Sequence, residues 1–461
     1  MNRDRWFASR VAAAMGALVW IALLLVGLSP QRFISNDTTP SRLGAAALRC
    51  GGDLDLLRVD WVRDLTPDAY WLQRVNGQGV SAFGPAPAVF GAAVMPTLAD
   101  GDLVDDDLLR RRERFATALS VGFSAALLAL AIAARRSVLL AFVRSAIALA
   151  SFAGAATIGQ GLWQATSALP LLMGAFAALS WASVPRTWDE TTRAGRWPLR
   201  VVPALLLAAM LARPTIAPLC LGLGVAWISL RPRLRDWLVA IALAAIAAAP
   251  FVAWNSVVLG HLYPTGQAAV NARVDVHLFV FAPGHIGTGV WGLLVSPARG
   301  LVWFAPVVLL AVARSLRGRR TDGASERIVA GAIVLQLVAM ALFYRWWGGV
   351  CFGPRLLAEA VWIAVGVASW RPFHSRVWHG VFVLAALVTI GVGQIGLWRW
   401  RAEAWERRRN PDIDENALWD VHDSPIPAAL TYDVSAELLA IDGGEPRVMR
   451  CRAGRLETVA P

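Results

Sequence analysis

The sequence predicts an all-α polytopic membrane protein, with about eleven transmembrane helices and one large loop directly after the first. Three observations lead there. Of the 461 residues, 57% are hydrophobic and 16% charged, where a soluble chain carries charge on about a quarter. Mean hydropathy is correspondingly positive, at +0.51. Apolar runs of about 20 residues, the length that crosses a bilayer, recur from end to end. All 44 basic residues are arginine, and they cluster in short segments between those runs, as cytoplasmic loops do. The net charge of +12 therefore marks topology and not a nucleic-acid surface. The alternating short strands of a membrane β-barrel are not seen. Lys-free, Arg- and Ala-rich usage points to a GC-rich bacterial genome, hence to a bacterial inner membrane.

The elements follow in order. The N-terminal "MNRDRWFASR" is a basic flank, and the apolar stretch 11–30 follows it. The pair looks like a signal peptide, but the apolar part is longer than usual and no small-x-small cleavage site follows. It predicts an uncleaved first helix with a cytoplasmic N-terminus. Further apolar segments lie at 115–134, 138–158, 166–184, 199–212, 214–230, 237–256, 300–314, 328–344, 356–370 and 379–398. The inner loops then carry "AARRS", "VPRTWDETTRAGRW", "RPRLRD", "RSLRGRRTDGASER" and "RPFHSR". The short outer loops are "GQGLWQAT", the Arg213-Pro214 turn and "YRWWGGVCFGPR". Reading 199–230 as one span would turn the later arginine-rich loops outward, against the charge rule. One basic segment, "RWRAEAWERRRN", falls outside even in the favoured arrangement. Residues 1–398 form the transmembrane domain, with long outer loops at 31–114 and 257–299, and 399–461 is an extracytoplasmic tail. The acidic run "DGDLVDDDLLRRRER" (100–114) reads as a solvated helix approach with charge pairs along the helix.

Three of the four cysteines, Cys50, Cys351 and Cys451, fall on the outer side, where a disulfide can form. Their pairing is open. Cys220 lies in an apolar span and reads as packing, and no spacing suggests zinc.

Asp37 is the candidate for chemistry, because it sits just past the first apolar run. An acid at a membrane edge is either a solvated loop group or functional. Its company on the outer side favours function. Arg42 follows five residues on, the loop "YRWWGGVCFGPRLL" supplies Arg345 and Arg355 among Gly348, Gly349, Gly353 and Pro354, and "GLLVSPARGLVWFAP" supplies Ser296 and Arg299. Arginines at a water–lipid boundary suit a phosphate, which a guanidinium binds through two parallel N–H groups. An interfacial aromatic belt accounts for Trp346 and Trp347 but not for the glycines beside them. Ser296 and Pro297 also fit a plain helix start. Gln160, Trp163, Gln164 and Ser167 in "TIGQGLWQATSALP" can satisfy backbone groups or hold sugar hydroxyls. Trp347 and Tyr263 offer flat faces suited equally to a sugar ring or to the interface.

Six stretches together resemble the GT-C superfamily of integral-membrane glycosyltransferases, of the kind of protein O-mannosyltransferases and aminoarabinose lipid A transferases. They are "SNDTTPSRLGAAALRCGGDLDL", "YWLQRVNGQGVSAFGPAPAVFGAAVMP", "GHLYPTGQ", "GLLVSPARGLVWFAP", "YRWWGGVCFGPRLL" and "RNPDIDENALWDVHDSP", spread from about residue 33 to 425. The resemblance implies a GT-C-like fold and transfer of a sugar from a polyprenyl-phosphate donor to an extracytoplasmic glycan, lipid or protein acceptor. It implies that Asp37 is the general base and that Arg345, Arg355 and, more weakly, Arg299 bind the donor phosphate. Arg42, Gln160, Gln164, Trp347 and Tyr263 would line the substrate site, and 81–96 would border the lipid donor. The chain departs from the pattern in having Asn36-Asp37 where many relatives have Asp-Glu, no acid in 159–166, and no tyrosine in "SAFGPAP". No cofactor is implied with certainty, and a divalent metal stays open. The alternative is a transporter or flippase of a lipid-linked sugar, which needs the arginines but no base. No internal repeat of the transporter kind is seen. A third reading, a non-catalytic scaffold, would leave Asp37 replaceable.

Overall fold

The structure, a computed structural model, describes residues 3–29, 37–65, 71–184, 197–259, 283–317, 324–343, 345–349, 351–371, 375–400, 405, 409–431 and 447–459. Its longer helices are α1 (Arg3–Leu28), α2 (Thr39–Gly51), α3 (Ala86–Val94), α4 (Asp106–Ala133), α5 (Val138–Ala150), α6 (Gln164–Ala182), α7 (Trp197–Ala212), α8 (Ala217–Ser229), α9 (Leu234–Trp254), α10 (Ile286–Val295), α11 (Pro306–Arg317), α12 (Ala324–Ala341), α13 (Ala358–Val367) and α14 (Arg376–Arg399).

Among the described residues, five helices are long and apolar enough to cross a bilayer, six if one bent pair counts as a single span, against the eleven expected. Several of the other apolar runs are short or broken, for local reasons. The run 138–158 is α5 followed, across a 41° bend, by Phe152–Gln160; Ser151 is extended there and ends the first piece. The run 300–314 is a short turn, Leu301–Phe304, then α11, with Pro306 opening the second piece. α7 and α8 have 16 and 13 residues, which at 1.5 Å per residue fall short of a hydrocarbon core about 30 Å thick. They are separate helices, broken at Arg213 by the turn Pro214–Ile216. The lipid side is plain on α9, where Leu238, Ile241 and Ile246 are 60%, 59% and 69% exposed. With no water to bond the backbone in hydrocarbon, helices of this composition are the structure such segments can take. At the centre, α13 is buried at every residue from Ala358 to Val367. Apart from Glu359 it is apolar on all sides, as a helix surrounded by helices is.

Residues 37–65, 71–105 and 447–459 form a cap on the end of the bundle where α1 finishes and α4 begins. Asp105 starts α4 by accepting a hydrogen bond from the Leu108 amide. To the helical bundle this cap adds a few short strands. β1 (Leu72–Val75) and β2 (Gln78–Ser81) make an antiparallel hairpin. Its turn is Asn76-Gly77, both at positive φ (50° and 78°), the pair that two-residue hairpin turns prefer. β3 (Leu103–Asp105) pairs antiparallel with β4 (Val448–Arg452), which pairs with β5 (Arg455–Val459). A disulfide, Cys50–Cys451, joins α2 to β4, while Cys220 and Cys351 are free and buried. The cap has its own apolar core, with Leu43, Leu56, Val59 and Val104 against Met449 and Leu456. The C-terminal hairpin is thus part of the first loop's fold and not a loose tail.

Candidate active site

Asp37 stands at the turn that opens α2, on the cap end of the bundle. Its Oδ2 accepts a hydrogen bond from Arg355 Nη1 at 2.9 Å, across 318 residues of sequence. Both side chains keep some exposure, 24% for Asp37 and 21% for Arg355, so the pair is reachable. The Arg355 guanidinium lies over the ring of Trp163, 4.6 Å from its centroid. Trp163 is itself fixed by donating its indole N–H to the Thr157 carbonyl at 3.2 Å. A stacked guanidinium keeps its edge donors available while its plane is held.

Arg355 is also held from behind. It begins the turn that leads into buried α13, and its carbonyl accepts from Arg213 Nη2 at 3.5 Å. Arg213 Nε donates to Thr215 Oγ1 at 3.1 Å and stands 3.1 Å from Glu359 Oε1. Arg213 and Glu359 are a buried opposite-charge pair, which offsets the cost of placing either in an apolar surround.

In front of Arg355 runs the loop 345–349. Gly348 and Gly349 both have φ +74°, a conformation that side chains with a Cβ rarely adopt. A Cβ on Gly349 would stand 3.8 Å from Arg355 Nη2, so the loop backbone lies close beside the guanidinium. Arg299 supports this loop from below. It is 0% exposed, and its Nε, Nη1 and Nη2 donate to the carbonyls of Trp347, Ala298 and Gly349 at 2.8, 2.7 and 2.7 Å. Burial pushes the Arg299 guanidinium below the usual arginine range; Cys351 opposes this, Arg355 adds to it and Asp412 opposes it. The structure thus places Arg299 on backbone, not at an open phosphate position. Arg345 Nη1 donates to Asp412 Oδ2 at 3.1 Å, and Trp347 Nε1 to Asp412 Oδ1 at 2.8 Å. Asp412 therefore ties the segment after α14 to the glycine loop.

Arg42 is buried on α2, and its Nη1 donates to Glu113 Oε2 at 3.0 Å. Glu113 Oε1 accepts from the Leu162 amide at 2.8 Å. The expected run of solvated charges at 100–114 therefore ends in a buried carboxylate, because Glu113 points into the junction of α2, α4 and the 157–163 segment. That junction is tight: a Cβ on Gly161 would fall 2.7 Å from Thr38 Cγ2, the neighbour of Asp37. Gln160 Nε2 donates to the Ala155 carbonyl at 2.7 Å and Gln164 Nε2 to the Phe83 carbonyl at 2.8 Å. Both amides hold backbone in this structure. Ser296 Oγ donates to the Leu418 carbonyl at 2.5 Å, again linking the bundle to the segment after α14. Tyr263 and Asn36 lie outside the described residues.

Of the residues singled out in the sequence, the structure brings Asp37, Arg355 and Trp163 into contact, with the loop of Arg345 and Trp347 alongside. Glu113, Arg213, Glu359 and Asp412 were not singled out for this site. Among the described residues, no group of three or more His, Cys, Asp or Glu is placed to hold a metal ion. The arrangement is a carboxylate and a guanidinium, both reachable, with a flat aromatic wall and a close-lying glycine backbone. It can accept a proton and bind an oxyanion at adjoining positions.

No family model matches the sequence, and no curated protein matches it. Among solved structures, the archaeal oligosaccharyltransferase AglB from Archaeoglobus fulgidus, in complex with an inhibitory peptide and a dolichol-phosphate, is 15% identical at a TM-score of 0.39. The match covers 92% of this chain and 61% of that one. The apo form of the Archaeoglobus fulgidus oligosaccharyltransferase gives 14% identity and a TM-score of 0.40, with the same coverage of 92% and 61%. The chain spans 61% of the length of these structures. A likeness at this level assigns neither a residue nor an activity, since function rests on the site and not on the fold.

Proposed function

We propose that this chain is a GT-C-type membrane glycosyltransferase that moves a sugar from a polyprenyl-phosphate donor to an extracytoplasmic acceptor, with Asp37 as general base. The observation that carries the reading is the Asp37–Arg355 pair. Two segments far apart in sequence meet at the cap end of the helical bundle, and they bring a carboxylate and a guanidinium to one reachable place.

The chemistry is a single displacement. The acceptor hydroxyl oxygen attacks the anomeric carbon and its proton passes to the Asp37 carboxylate. The bond from the anomeric carbon to the phosphate oxygen breaks, and that oxygen leaves with the electron pair as polyprenyl phosphate. Arg355 stabilises the charge that develops there, and Arg345, which begins the glycine loop and pairs with Asp412, is the second candidate cation. One displacement inverts the anomeric centre. The base must reach the acceptor proton at hydrogen-bond distance, and binding must hold the attacking and leaving oxygens in line. The acceptor is a glycan, a lipid or a protein.

Incubating membranes that contain the protein with a panel of radiolabelled polyprenyl-phosphate sugars tests this. Label is expected to move from one of these donors into an acceptor fraction in proportion to the amount of protein. Movement of intact donor between leaflets without transfer would overturn the reading in favour of a flippase.

A further inference from the structure

We propose that Asp37 occupies, in the donor-free protein, the place on Arg355 that the donor phosphate takes, so that donor binding itself releases the base. This rests on the function proposed above and specifies the order in which its two groups become available.

The geometry of Arg355 carries the inference. One face of its guanidinium is covered by Trp163. Its Nη2 lies beside Gly349, and its backbone is anchored through Arg213. The plane is therefore set, and the Nη1 edge is filled by the Asp37 carboxylate at 2.9 Å. Carboxylate and phosphate are the two planar-edge partners of a guanidinium, and they compete for the same N–H groups. Asp37 is the partner that can yield. It sits in the turn before α2 and not within a helix, and about a quarter of its side chain is exposed. Arg355 starts the turn leading into α13, where the chain is buried throughout.

While Asp37 Oδ2 accepts from Arg355 Nη1, that oxygen is occupied and does not take the hydrogen bond of an acceptor hydroxyl, which a general base has to accept. When the donor phosphate takes the Nη1 edge, Asp37 loses that partner and gains an anionic neighbour. Its Oδ2 then becomes available to the acceptor hydroxyl. The base thus becomes competent only with donor bound, and acceptor alone meets an inactive site. Binding is ordered, donor first.

The test is equilibrium binding of undecaprenyl phosphate to the full chain in lipid nanodiscs, for wild type, Asp37→Asn, Asp37→Ala and Arg355→Gln. The neutral alcohol undecaprenol is the control. Thermal melting establishes that each variant is folded, and the two Asp37 variants give independent readings. The proposal expects both to bind undecaprenyl phosphate more tightly than wild type, by roughly fivefold, the scale of one partly exposed ion pair. It expects undecaprenol binding to stay unchanged. A residue that merely positions Arg355 would on removal leave phosphate binding equal or weaker. If Arg355→Gln weakens binding but neither Asp37 variant tightens it, the displacement idea is overturned while the phosphate site stands. If Arg355→Gln binds undecaprenyl phosphate as wild type does, the phosphate site of the proposed function is itself wrong.

Discussion

Four ionised side chains near the cap end divide into two kinds, and their burial tells them apart. Arg42 and Glu113 are 4% and 3% exposed and are spent on each other. Asp37 and Arg355 meet at a similar distance but remain reachable. The first pair is structural. Glu113→Gln keeps the shape and leaves a buried guanidinium without its counter-charge, which costs about 3–5 kcal/mol. Denaturation of the purified protein in detergent should show that loss, and an unchanged midpoint would contradict the assignment. Arg355→Gln should leave the fold largely intact and lower transfer by roughly 10²–10³-fold, the scale of losing one donor to a developing oxyanion. Asp37 and Arg355 draw attention in the sequence because polar residues at the ends of apolar runs stand out against their surroundings, and the structure brings the two together. Glu113 does not stand out. It sits in a run of charges and looks like its neighbours, and its partner lies 71 residues away. Nothing local marks the one member of such a run that turns inward. Asp412 was hidden for the same reason, since its contacts to Arg345 and Trp347 cross 67 and 65 residues.

At the scale of elements, the glycine loop and the cap control how the site is presented. Gly349 has φ +74°, so Gly349→Ala places a Cβ in left-handed backbone at a cost of about 1–2 kcal/mol. The strain falls on a backbone that Arg299 grips through the carbonyls of Trp347 and Gly349. The expected result is weakened donor binding at a normal membrane level of protein, read by the same undecaprenyl phosphate assay. The cap is closed by the Cys50–Cys451 disulfide. Cys451→Ser should destabilise it by about 2–5 kcal/mol, seen as earlier proteolysis of the β4–β5 hairpin. The glycine pair was readable as a place where backbone comes close. The β1–β2 hairpin was also written in the sequence, as Asn-Gly between "QRV" and "QGVS", but the surrounding apolar helices drew the reading to a single class. The β3–β4–β5 sheet joins residues 103–105 to the far end of the chain. No local pattern encodes such a partner, and the disulfide that confirms it was one of several pairings the cysteines allowed.

The whole molecule has two unlike ends. One holds Asp37, Arg355 and the cap. At the other, Arg136 and Arg314 donate to the carbonyls of Ser369 and Ala368, and Arg144 to Ser369 Oγ, at the C-terminal end of α13. Cations there complement the helix dipole, and the arginine bias is the ground on which we propose that this end faces the cytoplasm. A membrane-impermeant maleimide should therefore label Gln78→Cys in intact spheroplasts and Arg235→Cys only after permeabilisation; the reverse pattern would invert the topology. The membrane class was legible from composition alone, because every long apolar run has to be hidden from water. The number of spans was not, because a bend at Ser151, a break at Pro306 and the short helices α7 and α8 are decided by packing. All these features converge on one carboxylate, and it gives the most direct measurement: sugar transfer from a polyprenyl-phosphate donor by wild type and by Asp37→Asn at matched membrane levels. The account predicts a fall of about 10²–10⁴-fold, the contribution of a general base. Equal transfer by the two proteins would contradict it.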